Sequence, residues 1–139
     1  MNRLAVPFYQ REYAWREENV EQLLRDLQRA RDDQTNYFIG IIVTIPKQRS
    51  DTLNVVDGQQ RLTTTALFLS GIHDYVRGRE PSSLIVESIE NEFLTIIDRR
   101  QGRRVPILQL NVDEHVYFDQ LIAREPQPME TTRESHRLY

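Results

Sequence analysis

With 139 residues, 39% of them hydrophobic and 28% charged, the chain has the composition of one globular domain. Its formal net charge of −3 argues against a protein that coats nucleic acid, and no apolar run approaches the roughly 20 residues of a membrane span. The absence of cysteine excludes disulfides, thiolate metal sites and a cysteine nucleophile, and no stretch reads as a signal peptide, so the expected compartment is the cytoplasm.

His73, His115 and His136 are too far apart for a metal-ligand spacing. Of the 18 basic residues only Lys47 is lysine. Guanidinium groups pair bidentately with phosphate, although a bias toward arginine codons explains the same count.

In chain order, Val6-Pro7 is extended because proline excludes its predecessor from helical space. Tyr9, Arg11, Tyr13 and Trp15 alternate, which on an extended chain lines them along one face. Val20, Leu23, Leu24, Leu27 and Ala30 recur at helical spacing and predict a helix over 17–32, with Glu17, Glu18 and Glu21 at the positive end of its dipole.

The run 37–45 is apolar and β-branched and reads as a buried strand, in which Gly40 marks a bulge, a ligand's approach or a packing constraint. A polar loop leads to a second strand over 53–56. A helix follows over 59–76, with Leu62, Ala66, Leu69, Ile72 and Val76 inward, ended by Gly78 and Pro81.

Ser82 or Ser83 caps a further helix through Glu92. Residues 93–98 and 105–110 read as a hairpin around Arg99, Arg100, Arg103 and Arg104. Asn111 to Glu114 has capping-box spacing and opens a helix to about Ala123, with Val116, Tyr117, Leu121 and Ile122 as core candidates. The expected domain spans 1–123; the proline-bearing stretch 124–139 reads as a mobile linker.

The chemistry concentrates at Val55-Val56-Asp57-Gly58-Gln59-Gln60-Arg61, where a strand runs through glycine into a helix. The first N–H groups of a helix lack internal partners and its dipole is positive there, so such an end accepts phosphate. Gly58 lets the backbone approach closely, Arg61 donates charge-assisted hydrogen bonds, and Thr63, Thr64 and Thr65 add hydroxyls. Asp57 repels phosphate unless it holds a metal ion or orients water. The same four residues 57–60 also fit a capping box, which stabilises a helix and does no chemistry.

Val6 to Trp15, Tyr37 to Gly40 and Val56 to Thr64 resemble the DGQQR domain, the N-terminal domain of GmrSD-type modification-dependent restriction endonucleases and related phage-defence proteins. Asn111 to Phe118 is similar to the family's later helix, so the resemblance covers nearly the whole chain. It implies an α+β, ParB/sulfiredoxin-like fold that binds and hydrolyses a nucleoside triphosphate with Mg2+ and couples turnover to DNA restriction.

Carried over residue by residue, the resemblance makes Asp57 a metal ligand or water-positioning group. Gln59 and Gln60 would contact phosphate or water, and Arg61 would neutralise phosphate charge, beside the phosphate contacts that the turn itself suggests for Gly58, Thr63 and Thr64. Tyr9, Gln10 and Arg11 would line the same cleft. Two departures stand out: the chain starts close to the first motif, and it stops before the family's helical region and C-terminal HNH-type domain. The expectation is therefore a fragment or a partner-dependent piece without an HNH centre of its own.

Tyr13 and Trp15 could stack a base, but aromatics beside a helix start are also core residues. Arg99, Arg100, Arg103 and Arg104 could grip a DNA backbone, while a charged hairpin tip is also simply solvated. The expected function is thus a Mg2+-dependent triphosphatase regulating DNA restriction, its base unassigned. DNA would be met through the full-length protein or a nuclease partner, no membrane is involved, and homo-oligomerisation is left open. The rival readings are a non-hydrolysing nucleotide or DNA switch and a helix cap in a protein-contact domain.

Overall fold

A computed structural model describes residues 2–99, 101–111 and 115–123. At its centre lies β1 (Arg3–Ala5), three residues that pair in parallel with β3 (Thr52–Asp57) on one side and β6 (Leu108–Gln109) on the other. Antiparallel to β3 runs β2 (Val43–Pro46), giving one mixed sheet in the order β2-β3-β1-β6. A second sheet is the hairpin of β4 (Thr95–Asp98) and β5 (Arg103–Pro106), in register from Thr95 opposite Pro106 to Asp98 opposite Arg103.

The helices are α1 (Glu17–Asp32), α2 (Gln59–Arg77), α3 (Leu84–Ser88) and α4 (His115–Ala123). The fold is α+β, and α1 and α2 match their predicted extents within a residue. Ser83 caps α3 by accepting the N–H of Ile85 at 3.3 Å, and the helix runs on as a π-helical turn over Ile89–Leu94.

The core lies between the inner face of α2, strands β1 and β6, the π-helical turn and α4. Val6, Ile89, Leu94, Leu108, Leu110, Phe118 and Ile122 are buried there, and Leu62, Ala66, Leu69 and Ile72 of α2 pack against them. The 3.6-residue spacing that predicted α2 is thus the spacing that packs it. By contrast α1 buries only Leu23.

Three expectations about strands are corrected. The run 37–45 is not a buried strand: Phe38 is 76% and Ile41 65% exposed, and only Val43–Pro46 pairs, at the sheet's edge. An apolar, β-branched run is equally compatible with an edge strand, and here Gly40, at φ +111°, takes the chain out of the pleat. The predicted strand 105–110 is divided between two sheets. Ile107 joins the two: it donates to the Leu94 carbonyl at 2.9 Å, next in the β4–β5 register, and its own carbonyl accepts from the Leu4 N–H at 2.8 Å.

Residues 93 and 94 belong to the π-helical turn, and pairing with β5 begins at Thr95. The row from Tyr9 to Trp15 does not share one face either. The chain turns at 8–10, where the Gln10 N–H donates to the Pro7 carbonyl at 3.0 Å. The side chains of His115, Val116 and Tyr117, Arg100 and the stretch 124–139 lie outside the described residues, as does most of the expected box at 111–114.

Candidate functional site

The strand β3 is anchored by Val55, which is fully buried, and delivers Asp57 and Gly58 to the start of α2. Gly58 is the N-cap residue, at φ 86°, and no side chain caps the helix end. A side chain at 58 would clash with the Cδ1 of Ile42 and come within 3.0 Å of the Ile41 carbonyl. Leu62 is the first residue to donate back into the helix, to the Gly58 carbonyl at 3.1 Å, which leaves the first-turn amides for an outside acceptor.

The capping box read at 57–60 does not form. Asp57 turns its Oδ1 onto its neighbour, accepting the Gly58 N–H at 2.8 Å, and its carboxylate is exposed. Gln60 reaches instead across to the N-terminal segment. Its Oε1 accepts the N–H groups of Ala14 at 2.7 Å and Trp15 at 3.2 Å, and its Nε2 donates to the Glu12 carbonyl at 3.0 Å. Gln59 donates from Nε2 to the Arg11 carbonyl at 2.6 Å.

Two adjacent glutamines therefore bind the backbone of 11–15 as a strap across the start of α2. The segment belongs to no helix or strand, so its amides and carbonyls require partners from elsewhere, and the two side-chain amides supply them.

Between strap and helix lies a cleft of about 270 Å³. Gln10, Arg11 and Trp15 line it from the strap, and Val56, Asp57, Gly58, Gln59, Gln60 and Arg61 from the turn. Gln10 is held there by donating to the Val56 carbonyl at 3.4 Å. Two arginines and one aspartate line it at the positive end of a 19-residue helix, so the local field favours an anion.

Gly40 has its purpose here. A Cβ at that position would clash with Nη1 of Arg61 and lie 2.8 Å from its Cζ, so the guanidinium crosses Gly40 where any side chain would stand. Of the three readings of Gly40 it is the packing constraint that holds, imposed by Arg61, whose Nη1 also lies 3.5 Å from the Ile41 carbonyl.

The remaining candidates divide. Thr63 and Thr64 are buried on the inner side of α2 and do not line the cleft. Thr64 donates to the Gln60 carbonyl at 2.9 Å, so the hydroxyl of Tyr13, 2.8 Å away, must donate to Thr64. Tyr9 is 62% exposed, packs edge-on against Phe8 at 5.5 Å and does not line the cleft.

Trp15, read as a stacking or core aromatic at the end of the first motif, does line it. Arg99, Arg103 and Arg104 belong to the β4–β5 hairpin and its turn, away from the cleft lining. Arg103 donates to Gln101 at 2.8 Å and Arg104 to Thr95 at 3.1 Å, with Glu90 3.9 Å from Arg104.

Fold and site together define an α+β domain that presents a basic cleft at a strand–glycine–helix turn. Over residues 1–138 the chain matches the family model described as GmrSD restriction endonuclease, N-terminal domain, and it belongs to that family. No curated protein matches it. Membership makes the chain a component of a restriction system. Among the described residues, no helix is long and apolar enough to cross a membrane.

Proposed function

We propose that the cleft binds the phosphates of a nucleoside triphosphate with Mg2+ and hydrolyses it, and that turnover regulates DNA restriction in a cytoplasmic phage-defence system. The observation that carries this reading is the convergence of Arg11, Arg61 and the first-turn amides of α2 on one cleft beside Asp57. The ParB/sulfiredoxin-like kinship belongs to the same proposal, since a glycine–arginine turn under phosphates is what it implies.

The residues fit Mg2+ that arrives with the nucleotide. No group of three carboxylate or imidazole side chains that could hold a metal occurs among the described residues, and Asp57 is the one carboxylate in the cleft lining. Mg2+ is commonly held by one or two carboxylates plus phosphates and water. When bound it would neutralise phosphate charge; Asp57 would ligate it or orient water, and Arg61 and Arg11 would hold the phosphates. Gln59 and Gln60 would hold the strap that carries Arg11.

The hydrogen bonds of those two glutamines favour a second reading. With the Gln60 amide bonded to main chain at three points and Gln59 Nε2 at one, Asp57 is the one carboxylate of the lining left to activate water. A cleft with one such group suits a nucleotide switch that binds without turnover.

Calorimetric titration of all four triphosphates, with and without Mg2+, and a phosphate-release assay separate the readings. Saturable, Mg2+-dependent binding with release supports the hydrolase, and binding without release supports the switch. Arg61→Ala should weaken binding by about 10- to 150-fold, from roughly 1.5–3 kcal/mol for one hydrogen bond to a charged group. Absence of binding by every triphosphate would end both.

A further inference from the structure

Beside the cleft is a second, smaller hollow with room of about 10 Å³, lined in part by Arg11, Tyr13, Gln59, Thr63 and Asn111. Two buried oxygens, Gln59 Oε1 and Asn111 Oδ1, have no donor among the described residues. Asn111 is only 9% exposed. Both atoms are acceptors, so neither can satisfy the other, and a buried acceptor without a donor is destabilising.

The Gln59 amide cannot be turned to remove the problem. Its Nε2 donates to the Arg11 carbonyl at 2.6 Å, and rotation would set oxygen against oxygen. What both atoms require is one small group with two hydrogens to give. The room available is near the about 10–15 Å³ that a single water needs.

We propose that one resident water molecule occupies this hollow and donates to Gln59 Oε1 and Asn111 Oδ1. Its lone pairs are left for donors, and Arg11 is among the residues that line the same hollow. Through this water Asn111, just beyond β6, fixes the side chain of Gln59 and hence the strap at Arg11. Asn111 is a positioning residue for the strap, and this holds whatever the cleft binds.

A high-resolution crystal structure of the full chain tests the water directly. One isolated peak should lie within hydrogen-bond distance of both oxygens, about 2.6–3.2 Å. An empty hollow overturns the proposal. So does an Asn111 amide donating its Nδ2 to Gln59 Oε1, an Asn111 Oδ1 capped by the backbone at 113 or 114, or a bound cation in the water's place.

Asn111→Leu should abolish the peak and speed tryptic cleavage after Arg11 severalfold, with cleavage after Lys47 in its exposed loop as the internal standard. Asn111→Asp keeps an acceptor in place and should retain both the water and the wild-type cleavage rate. Loss of the water in Asn111→Leu without faster cleavage after Arg11 refutes the positioning role.

Discussion

Replacing Gly40 by alanine should damage the candidate site through a residue that does not line it. At φ +111° the position lies outside even the left-handed helical region, so alanine there costs about 1–3 kcal/mol of backbone strain. The new Cβ would also stand 2.8 Å from Cζ and 3.2 Å from Nε of Arg61. The obstructed group is the far end of a flexible side chain, so it moves aside and adds little to the loss of stability.

The displacement is instead felt in binding. A guanidinium removed from a phosphate forfeits roughly 1.5–3 kcal/mol, or about 10- to 150-fold in affinity. The control is Gly102→Ala: at φ +65° it carries about 1–2 kcal/mol of left-handed strain, but nothing lies within 4 Å of its Cβ. Both variants should melt below the wild type, Gly40→Ala by about 3–10 °C. Only Gly40→Ala should lose triphosphate affinity in a calorimetric titration. Wild-type affinity in Gly40→Ala, alongside weakened binding in Arg61→Ala, would refute the claim that Gly40 holds the guanidinium in place.

Other perturbations probe the remaining parts. Gln60→Leu removes three hydrogen bonds to the strap and should lower stability by about 1.5–3 kcal/mol in chemical denaturation, with faster proteolysis within 11–15. Asp57→Asn keeps an acceptor for the Gly58 N–H, so stability should change by less than about 0.5 kcal/mol while Mg2+-dependent phosphate release falls; undiminished release removes Asp57 from the reaction. Tyr13→Phe deletes the hydroxyl that donates to Thr64 and should cost about 0.5–1.5 kcal/mol of stability with triphosphate affinity unchanged, because Tyr13 does not line the cleft.

Much of the scaffold was legible in the sequence because local signals coincide with tertiary demand. The spacing of Leu62, Ala66, Leu69 and Ile72 predicts α2 and also packs it on the core, and Asp57 to Arg61 sits where strand meets helix, as its chemistry suggested. The central strand β1 was not legible. Three residues carry no period, and Arg3–Ala5 is a strand only because β3 and β6 flank it. Nor could composition distinguish a buried strand at 37–45 from an exposed edge, since the difference is whether a neighbour covers it.

Within the candidate site, the amino acids alone determined the turn and its charges: a glycine that opens a helix, an arginine in the first turn and a carboxylate just before. Tertiary structure decided what each side chain faces. The glutamines at 59 and 60 face a strap some 45 residues away in sequence, Thr63 and Thr64 face inward, and Gly40 yields its side-chain space to Arg61. A side chain's partner across space depends on how elements distant in the chain are packed, and no local pattern of residues encodes that.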